Sequence, residues 1–540
     1  MRFFGKNPAE VILWTGVEYI MMKTKQGEKH MNFNNDTKKL GFCDAVYETT
    51  AEQSLDADIN LPDYCPEIQR ILKCTVVPNV TGVQNSSGRV TAEASAVVRL
   101  VYVGDNGKAA GYEQTYPIQK FVESDRISSD CAVSVSVNTD YANCRAVSPR
   151  RVDVRAMLTF IFKALKKREE NILCSAEGAG IQTMKEDCEL ASLCGICERA
   201  FSMSEVIELG ADKSPVSQII NVSACACASE VKVINNKALI KGDCTVKIYY
   251  ISDGNGSVES TEHSMPISQI IESDGVNENS ISSLRLSVSS CEALPKADSS
   301  GEMRLIDLNA RISAFMTAFE ETPLSLITDA YSTEYEIKTT PKSMEALKFN
   351  CDFNSSFTNK VVFESIGVSV DCVLAVWCSE IKYTFGTKGD RCVINGTYSA
   401  TVIYRDSENQ IGIVQKPVDF DYSVRLREKA ERIVCFGSVQ AGACSCSVTG
   451  DSRLEMKTEM FANGVILSSC MKKYIGVIDV DKDTVKRDRA CALTIYFCDS
   501  GESLWNIARK YNTTVEAIML ENDLTDDVVE KSRMMLIPGA

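Results

Sequence analysis

Residue types that do chemistry are sparse in this chain. It has two histidines, His30 and His263. Imidazole catalysis needs one of them within hydrogen-bond reach of a nucleophile or a carboxylate. His30 lies in a polar stretch near the start, and His263 sits beside a hairpin, a surface position. There is no Gly-x-x-x-x-Gly-Lys-Ser/Thr phosphate loop and no Gly-x-Gly-x-x-Gly after a strand. Asp63 and Glu67 come closest to an acid/base pair, and capping or solvated charge accounts for them better. Asp105-Asn106-Gly107 and Asp253-Gly254-Asn255-Gly256 lack the ligand count of a calcium loop and read as turns.

Thiols are plentiful, with 23 cysteines. Cys194-Gly195-Ile196-Cys197 is the one C-x-x-C. If residues 190–200 form a strand, residues three apart point to opposite faces and cannot share a ligand. Cys225 and Cys227 share a face, but two thiolates do not complete a zinc site. Most others, such as Cys74, Cys244, Cys372 and Cys392, sit singly in apolar runs as small core hydrophobes. An odd number without an export signal points to reduced thiols inside the cell. No catalytic residue, metal site or cofactor is assigned, and the working part is expected to be a surface rather than an enzyme's pocket.

The surface residue that stands out is Trp505. It lies one position past Leu504 in a stripe continued by Ile507, Ala508 and Tyr511 at helical spacing. It reads either as an edge-of-core aromatic or as a partly exposed anchor offering large contact area at low entropy cost. The elements around it form a βααβ unit. Leu493 to Cys498 is a strand, Gly501 a turn, and Glu502 or Ser503 caps the first helix. Asn512-Thr513-Thr514 breaks that helix, Val515, Ile518 and Met519 carry a second, and Met534 to Ile537 closes as a strand before Pro538.

Tyr496, Gly501, Leu504, Ile507, Ala508, Asn522, Ile537 and Pro538 resemble the LysM domain, a small carbohydrate-binding module. Cys498, Glu502-Ser503 and Ser532 depart from its usual residues. The resemblance implies a ligand groove between Gly501, Glu502, Ser503 and Leu504 on one side and Asn522, Asp523, Leu524 and Asp526 on the other. Asn522 also reads as a purely structural tie for its loop.

The rest of the chain repeats itself. Leu100-Val101-Tyr102-Val103 is echoed by Ile248-Tyr249-Tyr250-Ile251 and by Val402-Ile403-Tyr404; Tyr102 to Tyr250 is 148 residues and Tyr250 to Tyr404 is 154. Tyr116-Pro117-Ile118 matches Met265-Pro266-Ile267 and Lys416-Pro417-Val418, while Arg151-Val152-Asp153-Val154 matches Leu305-Ile306-Asp307-Leu308 and Arg453-Leu454-Glu455-Met456. Three ordered markers at one domain-sized period define a repeat. Alternation at Val98, Leu100 and Tyr102 and at Val152, Val154, Ala156 and Leu158 marks strands. The expected fold is mainly β: three tandem β-rich repeats, each a sandwich or split barrel, followed by the βααβ unit. Residues 1–40 read as a flexible leader or a misplaced start, 41–185, 186–340 and 341–485 as the repeats, and 486–540 as the LysM unit.

Leu61-Pro62-Asp63-Tyr64-Cys65-Pro66-Glu67-Ile68, with a trace at Lys213-Ser214-Pro215-Val216, resembles the opening of the SPOCS domain of spore-envelope proteins. SPOCS repeats followed by one LysM domain are the architecture of a spore-coat morphogenetic family. That resemblance implies a non-enzymatic protein in the mother-cell cytoplasm at the forespore surface, and later in the spore coat. It would help localise the coat by binding the coat-scaffold ATPase, stage IV sporulation protein A, through its LysM domain, with other coat proteins as further partners. The alternative is a peptidoglycan- or N-acetylglucosamine-binding envelope protein. The formal net charge of −15 argues against nucleic acid or an anionic membrane as the main partner. No apolar run is long enough for a transmembrane segment.

Overall fold

The computed structural model describes residues 34–253, 256–364, 366–450, 452–486, 492–529 and 531–539. His30 and most of the expected leader lie outside them, as do Gly254 and Asn255 of the second Gly-rich turn. The expected leader ran to residue 40, but the first strand already begins at Asn34 and buries Leu40.

Six strands build each of three units. The first holds β1 (Asn34–Asn60), β2 (Ile68–Ser86), β3 (Arg89–Gly104), β4 (Ala109–Glu123), β5 (Ala132–Ser148) and β6 (Arg151–Glu177). The second holds β7 (Ile181–Glu208), β8 (Val216–Ile234), β9 (Lys237–Ser252), β10 (Val258–Glu272), β11 (Ile281–Lys296) and β12 (Leu305–Ser332). The third holds β13 (Tyr335–Phe363), β14 (Val370–Lys388), β15 (Arg391–Asp406), β16 (Ile411–Arg425), β17 (Ile433–Gly450) and β18 (Arg453–Val485). Strand order is the same each time: β1-β6-β5 with β2-β3-β4, β7-β12-β11 with β8-β9-β10, and β13-β18-β17 with β14-β15-β16, all antiparallel. The tyrosines of the repeat marker, Tyr102, Tyr250 and Tyr404, all fall on the central strand of the shorter sheet and are buried.

Each unit is a sandwich because its two sheets turn apolar faces toward each other. In the first, Val90, Ala92, Ala94, Ala96, Val98, Leu100 and Tyr102 of β3 face Val152, Val154, Ala156, Leu158, Phe160 and Phe162 of β6 in one core. This is the period-of-two pattern of a strand with one covered face. At one edge β2 and β5 run close, and Thr139 Oγ1 donates to the Val76 carbonyl at 2.7 Å.

The SPOCS-like opening is a loop between the two sheets, between β1 and β2. Leu61 N bonds Arg150 O, and Ile68 N bonds Pro149 O. Arg150 Nη1 donates to Pro62 O and Cys65 O, each at 3.2 Å, and its Nε reaches Glu67 at 3.2 Å. Glu67 is therefore an ion-pair partner, and Asp63 stays exposed. The second unit repeats the device, with Leu209 N on Arg304 O and Arg304 Nη2 on Gly210 O.

The units share two larger contacts. Val101, Tyr249 and Ile403, equivalent residues of β3, β9 and β15, meet in one apolar cluster with Ile220 and Trp377, and Tyr249 Oη donates to Val376 O at 2.5 Å. The outer pairs β1/β6, β7/β12 and β13/β18 run 27 to 33 residues, roughly 90–110 Å of strand. They outlast the sandwiches and pack on one another as three ribbons. Leu40, Ile172, Leu190, Leu326, Met344 and Tyr474 form one layer of this trunk. Leu173, Ile181, Ile327, Ala330, Ile475 and Ile478 form a layer nearer its tip.

The parity argument for Cys194 and Cys197 does not hold. Gly195 pairs with Ala318 and Leu193 with Phe319, so Cys194 is an extra residue in a β-bulge. The bulge turns both thiols into the second unit's core. They still form no ligand set: among the described residues no cluster of three or more His, Cys, Asp or Glu could hold a metal.

The C-terminal unit is β19 (Leu493–Cys498), α1 (Leu504–Tyr511), α2 (Val515–Glu521) and β20 (Arg533–Pro538). β19 and β20 pair antiparallel from Leu493 with Pro538 to Cys498 with Arg533. Leu504, Ile507, Ala508 and Ile518 are buried as their spacing requires. Ser503 is the N-cap of α1, with no side-chain bond, and Asn512 ends the helix in the left-handed conformation. Thr514 caps α2 by accepting from Ala517 N at 3.1 Å.

Candidate functional site

The turn after β19 and the loop before β20 are zipped together by backbone. Gly501 N donates to Val529 O at 2.7 Å, Val529 N to Glu502 O at 3.1 Å, and Leu504 N to Asp527 O at 2.9 Å. Ser503 and Val528 form an isolated antiparallel bridge. Gly501 has φ +90°, which favours glycine, and a side chain there would meet open space. Glu502 is held by its own turn: Oε2 accepts from Asp499 N at 3.1 Å, and Tyr496 Oη lies 3.1 Å from Oε1. The backbone N–H of Asp499, followed by the Cys498 and Tyr496 side chains, holds its carboxyl below the usual range.

The expected second lip divides into two parts. Asn522 is occupied structurally. Its Oδ1 accepts from Leu536 N at 2.7 Å, and its Nδ2 donates to Leu536 O at 2.6 Å and to Ile518 O at 2.8 Å. Leu524 N closes α2 on Met519 O at 3.0 Å. Asp523 and Asp526 are exposed, Leu524 is half-buried and Leu504 is fully buried. The segment paired with Gly501–Leu504 is Asp527–Val529, just past the expected one. Val528 is exposed there, and only the backbone pairing singles it out.

Trp505 faces the trunk. Its Nε1 donates to Asp329 Oδ2 at 2.8 Å, and Arg509 Nη1 reaches the same oxygen at 2.7 Å. Tyr331 stands edge-on to the indole and donates its hydroxyl to Thr513 O at 2.7 Å. Tyr331 is counted in the C-terminal unit's own core with Leu504, Ile507 and Ile518. Burial pushes its phenol well above the usual value, with Glu516 and Asp329 adding to the effect. Lys486 Nζ adds bonds to Ser332 O at 2.8 Å and Asn512 Oδ1 at 3.1 Å. These trunk partners lie far from the motif in sequence, where no local pattern reveals them.

A second surface was also unread. On the side of the β19–β20 ribbon away from the helices, Ile495 (62%), Phe497 (76%) and Met534 (52%) are exposed, with Leu493 beside them. They alternate with Thr494, Tyr496 and Cys498, and the alternation marked the strand without saying that its outer face would be apolar.

The other sequence candidates fall outside any site. His263 Nε2 lies 3.1 Å from Glu205 Oε2 on the second unit. Asp105-Asn106-Gly107 is a hairpin turn, with Gly107 N on Gly104 O at 2.9 Å and Lys108 N on Asn106 Oδ1 at 2.9 Å. No helix among the described residues is long and apolar enough to cross a membrane.

Comparison with known proteins matches residues 67–147 and 215–294 to the family described as SipL, SPOCS domain, and residues 499–538 to the LysM domain. A stretch of 51 residues is 43% identical to Probable autolysin SsaALP of Staphylococcus aureus, covering 9% of this chain and 19% of that protein. The chain thus spans about a fifth of the length of that curated relative. The first SPOCS match begins within the loop that Arg150 clamps and ends in β5; the second covers the same strands of the next unit. The chain thus carries two stretches similar to the SPOCS domain and a C-terminal unit similar to the LysM domain.

Proposed function

We propose that the protein is a non-enzymatic spore-envelope morphogenesis protein whose LysM domain holds the coat-scaffold ATPase, stage IV sporulation protein A. It would act in the mother-cell cytoplasm at the forespore surface and stay in the coat, helping to localise the coat and meeting other coat proteins there. The observation that carries a protein partner is the apolar ribbon face of Ile495, Phe497 and Met534. Such a face suits another protein's apolar surface. The residues singled out from the sequence remain part of the proposal. Gly501, Glu502, Ser503, Asp523, Leu524 and Asp526 flank the zipped loops, Leu504 and Asn522 support them from within, and Trp505 fixes the domain on the trunk.

A glycan reading keeps two observations in its favour: the open space above Gly501 and the likeness to an autolysin. The test titrates the full chain with the purified ATPase in one arm and with N-acetylglucosamine oligomers in the other. Binding of the ATPase that falls about tenfold or more in Phe497→Asp, a hot-spot loss, with no sugar response, supports the adaptor. Sugar binding that perturbs the Gly501–Leu504 amides, without ATPase binding, replaces it with the glycan reading.

A further inference from the structure

Between the second and third units lies a cavity of about 510 Å³. Its wall includes Cys225 and Cys227 of β8, Gln440 and Gly442 of β17, and the carboxylates Asp243, Glu262 and Glu459. Residues two apart on a strand share a face, and here the two sulfurs are 3.6 Å apart. Both are partly exposed, whereas neighbouring Cys244 is completely buried. A thiol pair this close, opening onto a cavity wide enough for a small oxidant, is arranged to react with itself.

We infer that Cys225 and Cys227 form a peroxide-sensitive dithiol that closes reversibly to a disulfide. The Cys225 proton has two acceptors in reach: the Cys227 sulfur and Gln440 Oε1, also at 3.6 Å. Gln440 is held in place by its Nε2 bond to Leu286 O at 2.7 Å. When Cys227 ionises, the Cys225 proton turns to it. That hydrogen bond draws the Cys227 thiol below its usual value, against the opposing pull of burial, Glu459 and Asp243. Cys227 is the nucleophile because Gln440 Oε1, which can only accept, keeps the proton on Cys225, and the direction of the Cys227 shift agrees. Its thiolate attacks one oxygen of hydrogen peroxide, the O–O bond breaks, and hydroxide leaves, so sulfur is oxidised to a sulfenic acid as the peroxide is reduced. The Cys225 sulfur then attacks the Cys227 sulfur. The S–S bond forms, the S–O bond breaks, and the departing hydroxide takes the Cys225 proton as water. In sum, two thiols and one peroxide become one disulfide and two waters.

Closing this bridge bends the strand, because disulfide Cβ atoms sit about 3.5–4.5 Å apart while those of residues two apart on a strand stand nearly as far apart as their Cα atoms. Residues two apart on a strand lie roughly 6.6–6.8 Å apart, the upper end of the Cα separation of about 4.4–6.8 Å that disulfides usually span. A bridge at that limit is readily reduced. Closure also removes the proton that Gln440 accepts, so oxidation releases one contact between the second and third units.

The test uses the full chain. Hydrogen peroxide is added stoichiometrically, free thiols are blocked, and the chain is digested with trypsin. The peptide from Ser214 to Lys232 contains these two cysteines and no other. We expect it to lose two hydrogens in mass before Cys244 reacts and to regain them with dithiothreitol. In Cys225→Ser, dimedone should trap a sulfenic acid on Cys227. The inference is overturned if the peptide stays reduced while exposed Cys470 is oxidised. It is equally overturned if the peptide is recovered bridged to another cysteine's peptide, or if dimedone labels Cys225 in Cys227→Ser while Cys225→Ser takes no label.

Discussion

Tyr331, the second-last residue of β12, stands edge-on against Trp505 of α1, ring centroids 4.9 Å apart and planes at 68°. Such a pair adds roughly 0.5–1.5 kcal/mol beyond the area it buries. The trunk thus lends the LysM domain a core residue, and the domain is not the self-contained unit its motif suggests. Tyr331→Ala should destabilise the domain by about 3–5 kcal/mol, the cost of deleting a buried aromatic. The β-sandwiches should melt unchanged. Calorimetry of the full chain would resolve the two transitions, and Trp505 emission should shift to the red.

The Asn522 side chain makes two hydrogen bonds to Leu536 of β20 and a third to Ile518 O, and so ties the end of α2 to β20. Asn522→Ala leaves the Leu536 N–H and carbonyl without that partner, at about 1–3 kcal/mol for each buried group left unpaired. The expected outcome is a lower melting temperature for the LysM domain alone. Normal stability together with lost ligand binding would instead make Asn522 a contact residue.

Glu502 supplies a pH dependence. Its carboxyl titrates below its unfolded value because Asp499 N–H, Cys498 and Tyr496 favour the charged form. A depressed carboxylate contributes stability that is fully present above the unfolded value, near 4.5, and is lost as pH falls through the lower folded value. The LysM transition should therefore drop in acid more steeply than that of Glu502→Gln, and the two curves should converge at the lowest pH. Parallel curves would remove Glu502 from the account.

Arg150 holds the loop that carries the SPOCS-like opening through two carbonyls and Glu67. Arg150→Ala should cost the first unit about 1–3 kcal/mol, the scale of losing hydrogen bonds to a charged group. Hydrogen exchange should rise at Leu61 and Ile68, and the second unit, clamped by its own Arg304, should be unaffected.

The sandwiches were legible because one face of each strand obeys a period of two. Val152 through Leu158 of β6 read correctly for that reason, and so did the shared tyrosines of β3, β9 and β15. The trunk was not legible. Past Phe162, β6 runs through Lys166, Lys167, Arg168, Glu169 and Glu170, where the apolar period of two is lost. In the structure those residues form cross-strand ion pairs such as Arg168 with Asp44 at 2.5 Å, while Ile172 and Leu173 are buried against other units. Periodicity reports that a face is apolar and leaves open which element covers it. Trp505 shows the same limit: its position at the edge of the α1 stripe was readable, but Asp329 and Tyr331 were not, because long-range pairing leaves no local pattern.

The ribbons have one more consequence. Asn34 pairs with Glu177, Ile181 with Ser332, and Tyr335 with Val485, so the chain enters and leaves every unit at the same end of the trunk. The turn residues stay together there, with Thr333 N on Gly180 O and Lys486 N on Glu334 O. The molecule is assembled like stems gathered at a single knot. A unit gained or lost by duplication would change the girth of the bundle without lengthening the tether to the LysM domain, so the number of units and the reach of the C-terminal domain are free to vary separately.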